Sequence, residues 1–240
     1  ILITGHTGFK GSWLSLILSE LGSEIHGVAL KENKISFFNT MNLKKKFKTN
    51  NYCNINNYSK LKKLILKIKP DIVFHLAAQP IVIDSYHNPL KTIETNVLGT
   101  SKLLKSIMFL KKTTTIIVVT SDKCYDTEKN KLFVETDKLG GYDIYSATKA
   151  CKEILSSAFR ETFLKEKKIK LATVRSGNVI GGGDFSKNRL IPDLIRAYNK
   201  NEACLIRNKN STRPWQHVLD PLSGYLRLAK KIYLSKDNFY

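Results

Sequence analysis

The sequence predicts an open, doubly wound α/β fold built on a parallel sheet. Apolar, β-branched runs alternate with segments of helical spacing along the chain. A glycine turn joins the first such run to the first helical segment, and the polar string Thr-Ser-Asp-Lys follows the buried run at 115–119. Because open α/β sheets bind ligands at the carboxyl ends of their strands, both features are expected to meet at one site.

The glycine turn follows a predicted strand at 1–4 and precedes a predicted helix at 12–21. We expect Gly5 to make the tight turn, Gly8 to let the backbone approach phosphates, and Gly11 to let helix and strand pack closely. Strand, glycine turn and helix together present backbone N–H groups and a positive helix end to a pyrophosphate. The pattern therefore predicts a dinucleotide site, with a purely structural turn as the alternative.

A second strand is predicted at 24–30, and its end bears on the choice of cofactor. Sites that prefer NAD often place an acid there to bind the ribose hydroxyls. Lys31 comes first in this sequence and Glu32 follows. The sequence therefore determines the choice between NAD and NADP less clearly than it determines the fold.

The rest of the chain continues the alternation. Strands are predicted at 52–55, 71–78, 115–119 and 170–175, and helices at 58–69, 89–110, 145–165, 189–199 and 222–234. His75 lies inside an apolar run and is predicted to belong to the core. Asn96 falls on an inward face and is interpreted first as a structural bridge, with a water relay as the alternative. We expect a dinucleotide-binding domain over 1–176 and a smaller, C-terminally incomplete substrate region over 177–240, with a helix returning to the first domain.

Tyr145 and Lys149 stand four residues apart in a segment of helical spacing, so one helix face presents both. An ammonium beside a phenol favours the phenolate, which predicts a lowered Tyr145 pKa and a base usable near neutral pH. The same spacing occurs at Tyr58/Lys62 and at Tyr125/Lys129. Only the pair at 145 and 149 follows a buried strand with a polar tip, so context rather than spacing carries the prediction.

The composition argues against several other classes of protein. A hydrophobic fraction of 42% in 240 residues is ample for a core. The net charge of +20 suggests nucleic acid, but the 33 lysines are scattered and only 7 arginines accompany them, so no nucleic-acid partner is predicted. The four cysteines show no C-x-x-C pairing and the five histidines no metal-ligand spacing, which predicts reduced cytoplasmic thiols and no metal site.

The sequence contains no apolar run of 18 residues, so no membrane partner is predicted. It has no initiator Met, and its first residue already lies in an apolar run. We therefore interpret it as a fragment at its N-terminus, from which no signal peptide can be read.

Seven strings carry a family resemblance, at 4–13, 75–80, 95–100, 120–125, 140–149, 177–184 and 213–219. With them, the chain resembles the extended short-chain dehydrogenase/reductase (NAD-dependent epimerase/dehydratase) family, which has a Rossmann fold. Within it, the chain is similar to the branch that dehydrates CDP-glucose. The Lys123 position, usually Glu in other sugar-nucleotide dehydratases, the triple glycine at 181–183 and the Arg-Pro-Trp-Gln-His string point to that branch.

The resemblance implies a lyase of deoxysugar and O-antigen biosynthesis that converts CDP-glucose into CDP-4-keto-6-deoxyglucose with bound NAD. Carbon 4 is oxidised, water is lost across carbons 5 and 6, and hydride returns to carbon 6. Tyr145, held by Lys149 and Ser121, would take the 4-hydroxyl proton. Lys123 would remove the carbon-5 hydrogen while Asp122 protonates the departing 6-hydroxyl.

The resemblance also implies binding residues and a homodimer. Cofactor contacts are expected at Gly5, Thr7, Gly8, Phe9, Gly11, Asn54, Ile55, Leu76, Ala77, Ala78, Thr120, Tyr145 and Lys149. Substrate contacts are expected at Gln79, Ser85, Asn178, Arg189 and Arg213. The chain departs from the family at Lys31, where relatives tend to have an acid, and at Asn54 and Asn56. Family chains continue past Tyr240, so part of the substrate pocket is expected to be missing.

Three other functions remain open at this point, and the first is a dehydratase for another sugar nucleotide. A sugar-nucleotide 4-epimerase needs only the Tyr145/Lys149 oxidation and would give Asp122 and Lys123 no proton-transfer role. A non-catalytic module that senses dinucleotides would keep the glycine turn without needing Tyr145 and Lys149 together.

Overall fold

The computed structural model of the protein describes residues 1–126 and 132–235. Lys129 and residues 236–240 of the expected substrate region lie outside the described residues. Within the described ranges, six parallel strands form the main sheet: β1 (Leu2–Thr4), β2 (His26–Ala29), β3 (Thr49–Tyr52), β4 (Ile72–His75), β5 (Thr114–Val119) and β6 (Ile169–Val174). The predicted doubly wound parallel fold is confirmed.

The strand order is β3-β2-β1-β4-β5-β6, so the chain changes direction between β1 and β4. The loops that follow these two strands leave towards opposite faces of the sheet, which opens a crevice at their carboxyl ends. A second, two-stranded parallel sheet pairs β7 (Asn178–Ile180) with β8 (Trp215–His217). This small sheet lies in the region after residue 176.

Helices cover both faces of the main sheet. They are α1 (Phe9–Glu20), α2 (Phe37–Thr40), α3 (Tyr58–Ile68), α4 (Val82–His87), α5 (Pro89–Ile93), α6 (Gly99–Ile107), α7 (Ile144–Phe159), α8 (Leu190–Lys200) and α9 (Leu219–Leu234). Single helical turns of other types occur at 43–46, 94–98, 122–124 and 160–164.

The core has two layers because successive strand residues point to opposite faces. Ile116 faces the layer that contains Leu61 and Leu103, from α3 and α6. Its neighbour Ile117 faces the layer that contains Leu14 and Leu222, from α1 and α9. All six side chains are fully buried. Helix α9 therefore packs on the main sheet although it follows the region that carries β7 and β8.

Three predicted elements differ from the structure. The third strand is Thr49–Tyr52 rather than 52–55, because β3 is a half-buried edge strand with the polar sequence Thr-Asn-Asn-Tyr, which gives no hydrophobic signal. The helix predicted over 89–110 is interrupted by a wide turn at 94–98. Helix α9 begins at Leu219, and the Asp220 carboxylate accepts a hydrogen bond from the His217 N–H, 3.1 Å away.

Candidate active site

A cavity of about 1340 Å³ lies at the carboxyl ends of the central strands. Its walls come from the glycine turn after β1, the segment after β4, the tip after β5, helix α7, and the region 176–215. This is the edge of the sheet at which the glycine turn and the polar tip after β5 are expected to meet. The predicted catalytic and cofactor residues line one wall or another of this single cavity.

The glycine turn is tight enough to require glycine at two positions. Gly5 has φ +75, and a Cβ there would lie 2.7 Å from the Ala77 backbone nitrogen. A Cβ on Gly11 would lie 2.2 Å from the Gly5 carbonyl oxygen. Gly8 is the N-cap of α1 and has no side chain to cap the helix, whose first turn also carries no acid. The positive end of α1 therefore faces the cavity uncapped.

The polar tip after β5 is fixed by short-range hydrogen bonds. The Ser121 hydroxyl donates to Asp122 Oδ1 over 2.9 Å and accepts from the Lys123 N–H over 3.3 Å. The Asp122 N–H donates to the Ser176 carbonyl over 3.1 Å, which ties the tip to the end of β6. Thr120, at the root of the tip, donates its hydroxyl hydrogen bond to the buried Glu153 carboxylate.

Tyr145 and Lys149 occupy one face of α7 and are both buried. The Lys149 Nζ atom lies 5.3 Å from the centroid of the Tyr145 ring. The helix begins at Asp143, whose carboxylate accepts the Ser146 N–H over 2.9 Å. This N-cap fixes the helix start two residues before Tyr145 and six before Lys149.

Burial raises the pKa of Tyr145 to about 12, although Ser121 and the positive charge of Arg189 act in the opposite direction. The expected lowering of the Tyr145 pKa by Lys149 is wrong for this arrangement, because desolvation of the phenolate outweighs the nearby charges. Burial also lowers the pKa of Lys149 to about 8.

Sequence reasoning missed two lysines of this site. Lys10 lines the cavity and donates to the Ser176 hydroxyl over 3.1 Å, and burial lowers its pKa to about 7. Lys152 is fully buried behind Lys149 and donates to the Val119 carbonyl over 3.1 Å. The available signals were a lysine inside the glycine turn and a lysine one helical turn beyond Lys149.

Two residues interpreted as structural are fully buried. The His75 ring bonds the hydroxyls of Thr4 and Thr100, at 2.7 and 3.0 Å. The Asn96 amide accepts from the Gln79 N–H over 2.8 Å and donates to the Thr148 hydroxyl over 3.0 Å. Asn96 thereby bridges the segment after β4 to helix α7, as the first of its two interpretations predicted.

The predicted substrate residues divide into two groups. Asn178, Arg189 and Arg213 line the cavity. The Gln79 amide is instead occupied by the backbone of Ile81, with bonds of 2.8 and 2.9 Å, and the Ser85 hydroxyl donates to the Val82 carbonyl over 2.6 Å. Neither of these two side chains is among the cavity walls.

The acidic residue after β2 already has a hydrogen-bond partner within the protein. Lys31 is exposed, and the Glu32 carboxylate accepts a hydrogen bond from the Tyr52 hydroxyl over 3.1 Å. Thr7 donates its hydroxyl hydrogen bond to the Leu30 carbonyl over 3.0 Å. Asn54 and Ile55, which follow β3, line the cavity beside this strand end.

In residues 1–126 and 132–235 there is no cluster of three or more His, Cys, Asp or Glu side chains able to hold a metal ion. Across the same two stretches, no helix is both long enough and apolar enough to cross a bilayer.

Comparison with known proteins supplies the family. Residues 2–235 match the family model described as GDP-mannose 4,6 dehydratase. The CDP-glucose 4,6-dehydratase of Salmonella typhimurium is 45% identical over 100% of this chain and 68% of its own length. The UDP-glucose 4-epimerase of Mycoplasma genitalium is 27% identical, over 96% of this chain and 71% of its own.

Solved structures agree on the fold. MoeE5 in complex with UDP-glucose and NAD superposes with a TM-score of 0.83 at 23% identity, covering 99% of this chain and 73% of the other. A UDP-glucuronic acid 4-epimerase from Bacillus cereus gives a TM-score of 0.83 at 22% identity, covering 99% and 74%. The family-model match over residues 2–235 and the 45% identity to a dehydratase over the whole of this chain show that the chain belongs to the GDP-mannose 4,6 dehydratase family within the extended short-chain dehydrogenases/reductases.

Proposed function

We propose that the protein dehydrates CDP-glucose to CDP-4-keto-6-deoxyglucose. One observation carries the proposal: the Ser121-Asp122-Lys123 tip and the Tyr145/Lys149 pair line the same cavity as the glycine turn. The Tyr/Lys pair alone would suit any family member that oxidises a sugar, whereas a carboxylate and an amine on one tip also suit loss of water. The 45% identity to a CDP-glucose 4,6-dehydratase supports the choice of CDP-glucose.

The residues present fit NAD as cofactor. The uncapped N-terminus of α1 and the close approach at Gly5 and Gly11 suit a pyrophosphate. Ala77 and Ala78, after β4, would lie along the nicotinamide half, and Asn54 and Ile55 along the adenosine half. Bound NAD would supply reversible hydride transfer, as acceptor of a hydride from carbon 4 and later as its donor to carbon 6.

Tyr145 is proposed to take the proton of the sugar's 4-hydroxyl. Its burial holds the phenol neutral, so the charges around it decide when the phenolate forms. Arg189 favours the phenolate, and Asp122 disfavours it. Lys149, with a pKa of about 8, is charged over most of the neutral range and is available to orient ribose hydroxyls.

Asp122 and Lys123 are proposed to perform the elimination. A ketone at carbon 4 acidifies the hydrogen on carbon 5, which Lys123 would remove as a neutral amine. Asp122 would give a proton to the departing 6-hydroxyl. The Ser121 hydroxyl, bound to Asp122 Oδ1, connects this carboxylate to the Tyr145 side of the cavity.

The test is to incubate the native protein that carries this chain with NAD and CDP-glucose and to record mass spectra of the products. A product lighter by one water supports the proposal, with NAD regenerated. An isomer of unchanged mass would indicate a 4-epimerase, and one NADH accumulated per product would indicate a simple dehydrogenase. Equal dehydration of dTDP-glucose would refute the specificity for CDP, because a site built for one base leaves polar groups unpaired with another.

We also propose a cytoplasmic homodimer, paired through α5, α6 and α7. Leu90 on α5 and Ile154 on α7 are 80% and 56% exposed in the single chain, although both are apolar. A cytoplasmic location fits the thiols, because none of the four cysteines forms a disulfide: Cys53, Cys124, Cys151 and Cys204. Sedimentation of the native protein, and of an Ile154→Glu variant expected to be monomeric, tests the assembly.

A further inference from the structure

The glycine-rich loop at 181–184 is held by two aromatic side chains from the cofactor side of the molecule. Trp13, on α1, donates its ring N–H to the Gly182 carbonyl over 2.9 Å. Its ring stacks on Phe37, with centroids 4.7 Å apart and planes at 13°. A Cβ on Gly183, which has φ +83, would lie 2.3 Å from the Phe37 ring. The loop backbone is therefore pressed directly against this aromatic pair.

The last residue of the loop fixes an arginine of the cavity. The Asp184 side chain is only 6% exposed and accepts from Arg189 Nη1 over 2.8 Å and from the Ser186 N–H over 3.1 Å. Arg189 lines the cavity. Its charge is near enough to lower the pKa values of Tyr145, Lys149 and Lys10.

We propose that Trp13, Phe37 and Asp184 are positioning residues: the aromatic pair fixes the glycine-rich loop, and the loop, through Asp184, fixes Arg189 at the catalytic end of the cavity. None of the three lies on the β5 tip or on α7. The proposed catalytic site is thus completed by an arginine whose placement depends on a contact between α1 and residues 181–184. The inference rests on the proposed roles of Tyr145 and Lys149, but its test needs neither substrate nor turnover.

The readout is the titration of buried lysine amines, followed by NMR of the native protein labelled at the lysine ε-carbon. Lys149, with a pKa of about 8, titrates well below an ordinary lysine, and a Lys149→Met variant identifies its signal. The charged or titratable groups that act on this amine or on its neighbours are Lys10, His75, Asp122, Cys124, Asp143, Tyr145, Lys152, Glu153 and Arg189. All nine remain in the Trp13 and Asp184 single variants.

Trp13→Leu removes the stack and the hydrogen bond without changing any charge. If Arg189 moves away from the cavity, the Lys149 pKa is expected to rise, by roughly half to one unit for the loss of a like charge. Trp13→Phe keeps the stack and loses only the hydrogen bond, so a smaller rise is expected. Phe109→Leu, an aromatic truncation of a side chain that does not line the cavity, is the matched control and should leave the titration unchanged.

In Asp184→Asn, the sign of the change in the Lys149 pKa distinguishes loss of a carboxylate from displacement of Arg189. Loss of a carboxylate by itself would lower the pKa of a nearby amine, whereas displacement of Arg189 would raise it. We expect a rise. A fall, or no change, would overturn the positioning role of Asp184.

A double variant separates Arg189 from a general loosening that admits water. Arg189→Met alone should give the largest rise, and adding Trp13→Leu to it should give no further rise. A further rise of the Lys149 pKa in the double variant would mean that Trp13→Leu raises this pKa by admitting water and not by displacing Arg189. That result would overturn the inference. Failure of the protein to dehydrate CDP-glucose would refute the proposed function and leave these titrations standing.

Discussion

Tyr145 and Arg189 both line the same cavity, but different structural elements hold their side chains in place. Tyr145 stands on α7, a 16-residue helix that is hydrogen-bonded through Lys152 to Val119 at the end of the fully buried strand β5. Arg189 precedes α8 and is held by one ion pair, next to β7 and β8, whose residues are half-buried or exposed. The side of the site assigned to proton transfer is thus built on the rigid sheet, and the side assigned to substrate binding on loops.

The difference is largest in the polar groups behind each side chain. Behind Tyr145, the buried Glu153 carboxylate binds Arg175 through two bonds of 3.0 and 3.1 Å and the Thr173 hydroxyl at 2.6 Å. This network ties α7 to the ends of β5 and β6. The substrate side has small glycines and one partly buried ion pair, Arg189 with Asp184, instead. Changes on the first side are therefore expected to cost chemistry or stability, and changes on the second to alter binding.

The largest effect is expected from Tyr145→Phe, which removes the proposed proton acceptor and keeps the ring. We expect kcat to fall by roughly 10² to 10⁴, the usual worth of a positioned acid or base. A single-turnover absorbance measurement should show NADH formed more slowly by the same factor. Tyr198→Phe, at an 83% exposed position on α8, is the control and should keep full activity. NADH formation at the normal rate in Tyr145→Phe would remove Tyr145 from the first step.

Glu153→Gln tests the rigid side through stability. Leaving the half-buried Arg175 without its carboxylate is expected to lower the free energy of unfolding by about 3 kcal/mol, the low end of the range for a buried pair. Burial raises the pKa of Glu153, but bonds from Arg175, Thr120 and Thr173 outweigh it and hold the pKa below its usual range. A lowered folded-state pKa stabilises above the unfolded pKa, and this contribution is lost as pH falls through the folded one.

Urea unfolding at neutral and acid pH checks that sign. The wild type should lose its advantage over Glu153→Gln as the solution is acidified below the ordinary glutamate range. A difference in stability that grows on acidification would show that the ionised carboxylate does not stabilise the fold. Glu161→Gln, on an exposed pair with Arg160, should change stability little at either pH.

Lys123→Ala is expected to separate the two proposed chemical steps. The variant should still oxidise the sugar and trap NADH, because Tyr145 and Lys149 remain. It should exchange no solvent deuterium into carbon 5, since the proposed base is missing. If Lys123 only neutralises Asp122 or holds a phosphate, binding should weaken while carbon-5 exchange continues, and mass spectrometry of recovered substrate distinguishes the two outcomes.

The smallest effect is expected from the loop side. Arg213→Ala removes an exposed guanidinium at the cavity wall and should raise KM by about tenfold, the worth of one charge-assisted hydrogen bond, with kcat nearly unchanged. Steady-state kinetics with CDP-glucose measures both. A fall in kcat with constant KM would place Arg213 in the chemistry and erase the contrast between the two sides.

What the sequence could predict follows the same division. The strand, glycine turn and helix at the N-terminus, and the shared face of Tyr145 and Lys149, depend on local periodicity and were predictable. Strand β3 was misplaced because edge strands carry little hydrophobic pattern. The turn of the Gln79 amide onto the Ile81 backbone is a local side-chain conformation that a residue pattern does not record. The lowered pKa of Lys10 depends on burial and on charged groups far away in the chain, which a sequence pattern does not record either.

The two tryptophans of the sequence occupy places that make the protein its own optical probe. The Trp13 ring is stacked and hydrogen-bonded at the glycine-rich loop, whereas Trp215, in β8, is 43% exposed at the cavity wall. Trp13 should therefore emit at a shorter wavelength than Trp215, and acrylamide should quench its fluorescence less. A nucleotide sugar that enters the cavity should quench Trp215 first, so intrinsic fluorescence can report ligand entry and loop release as two separate signals.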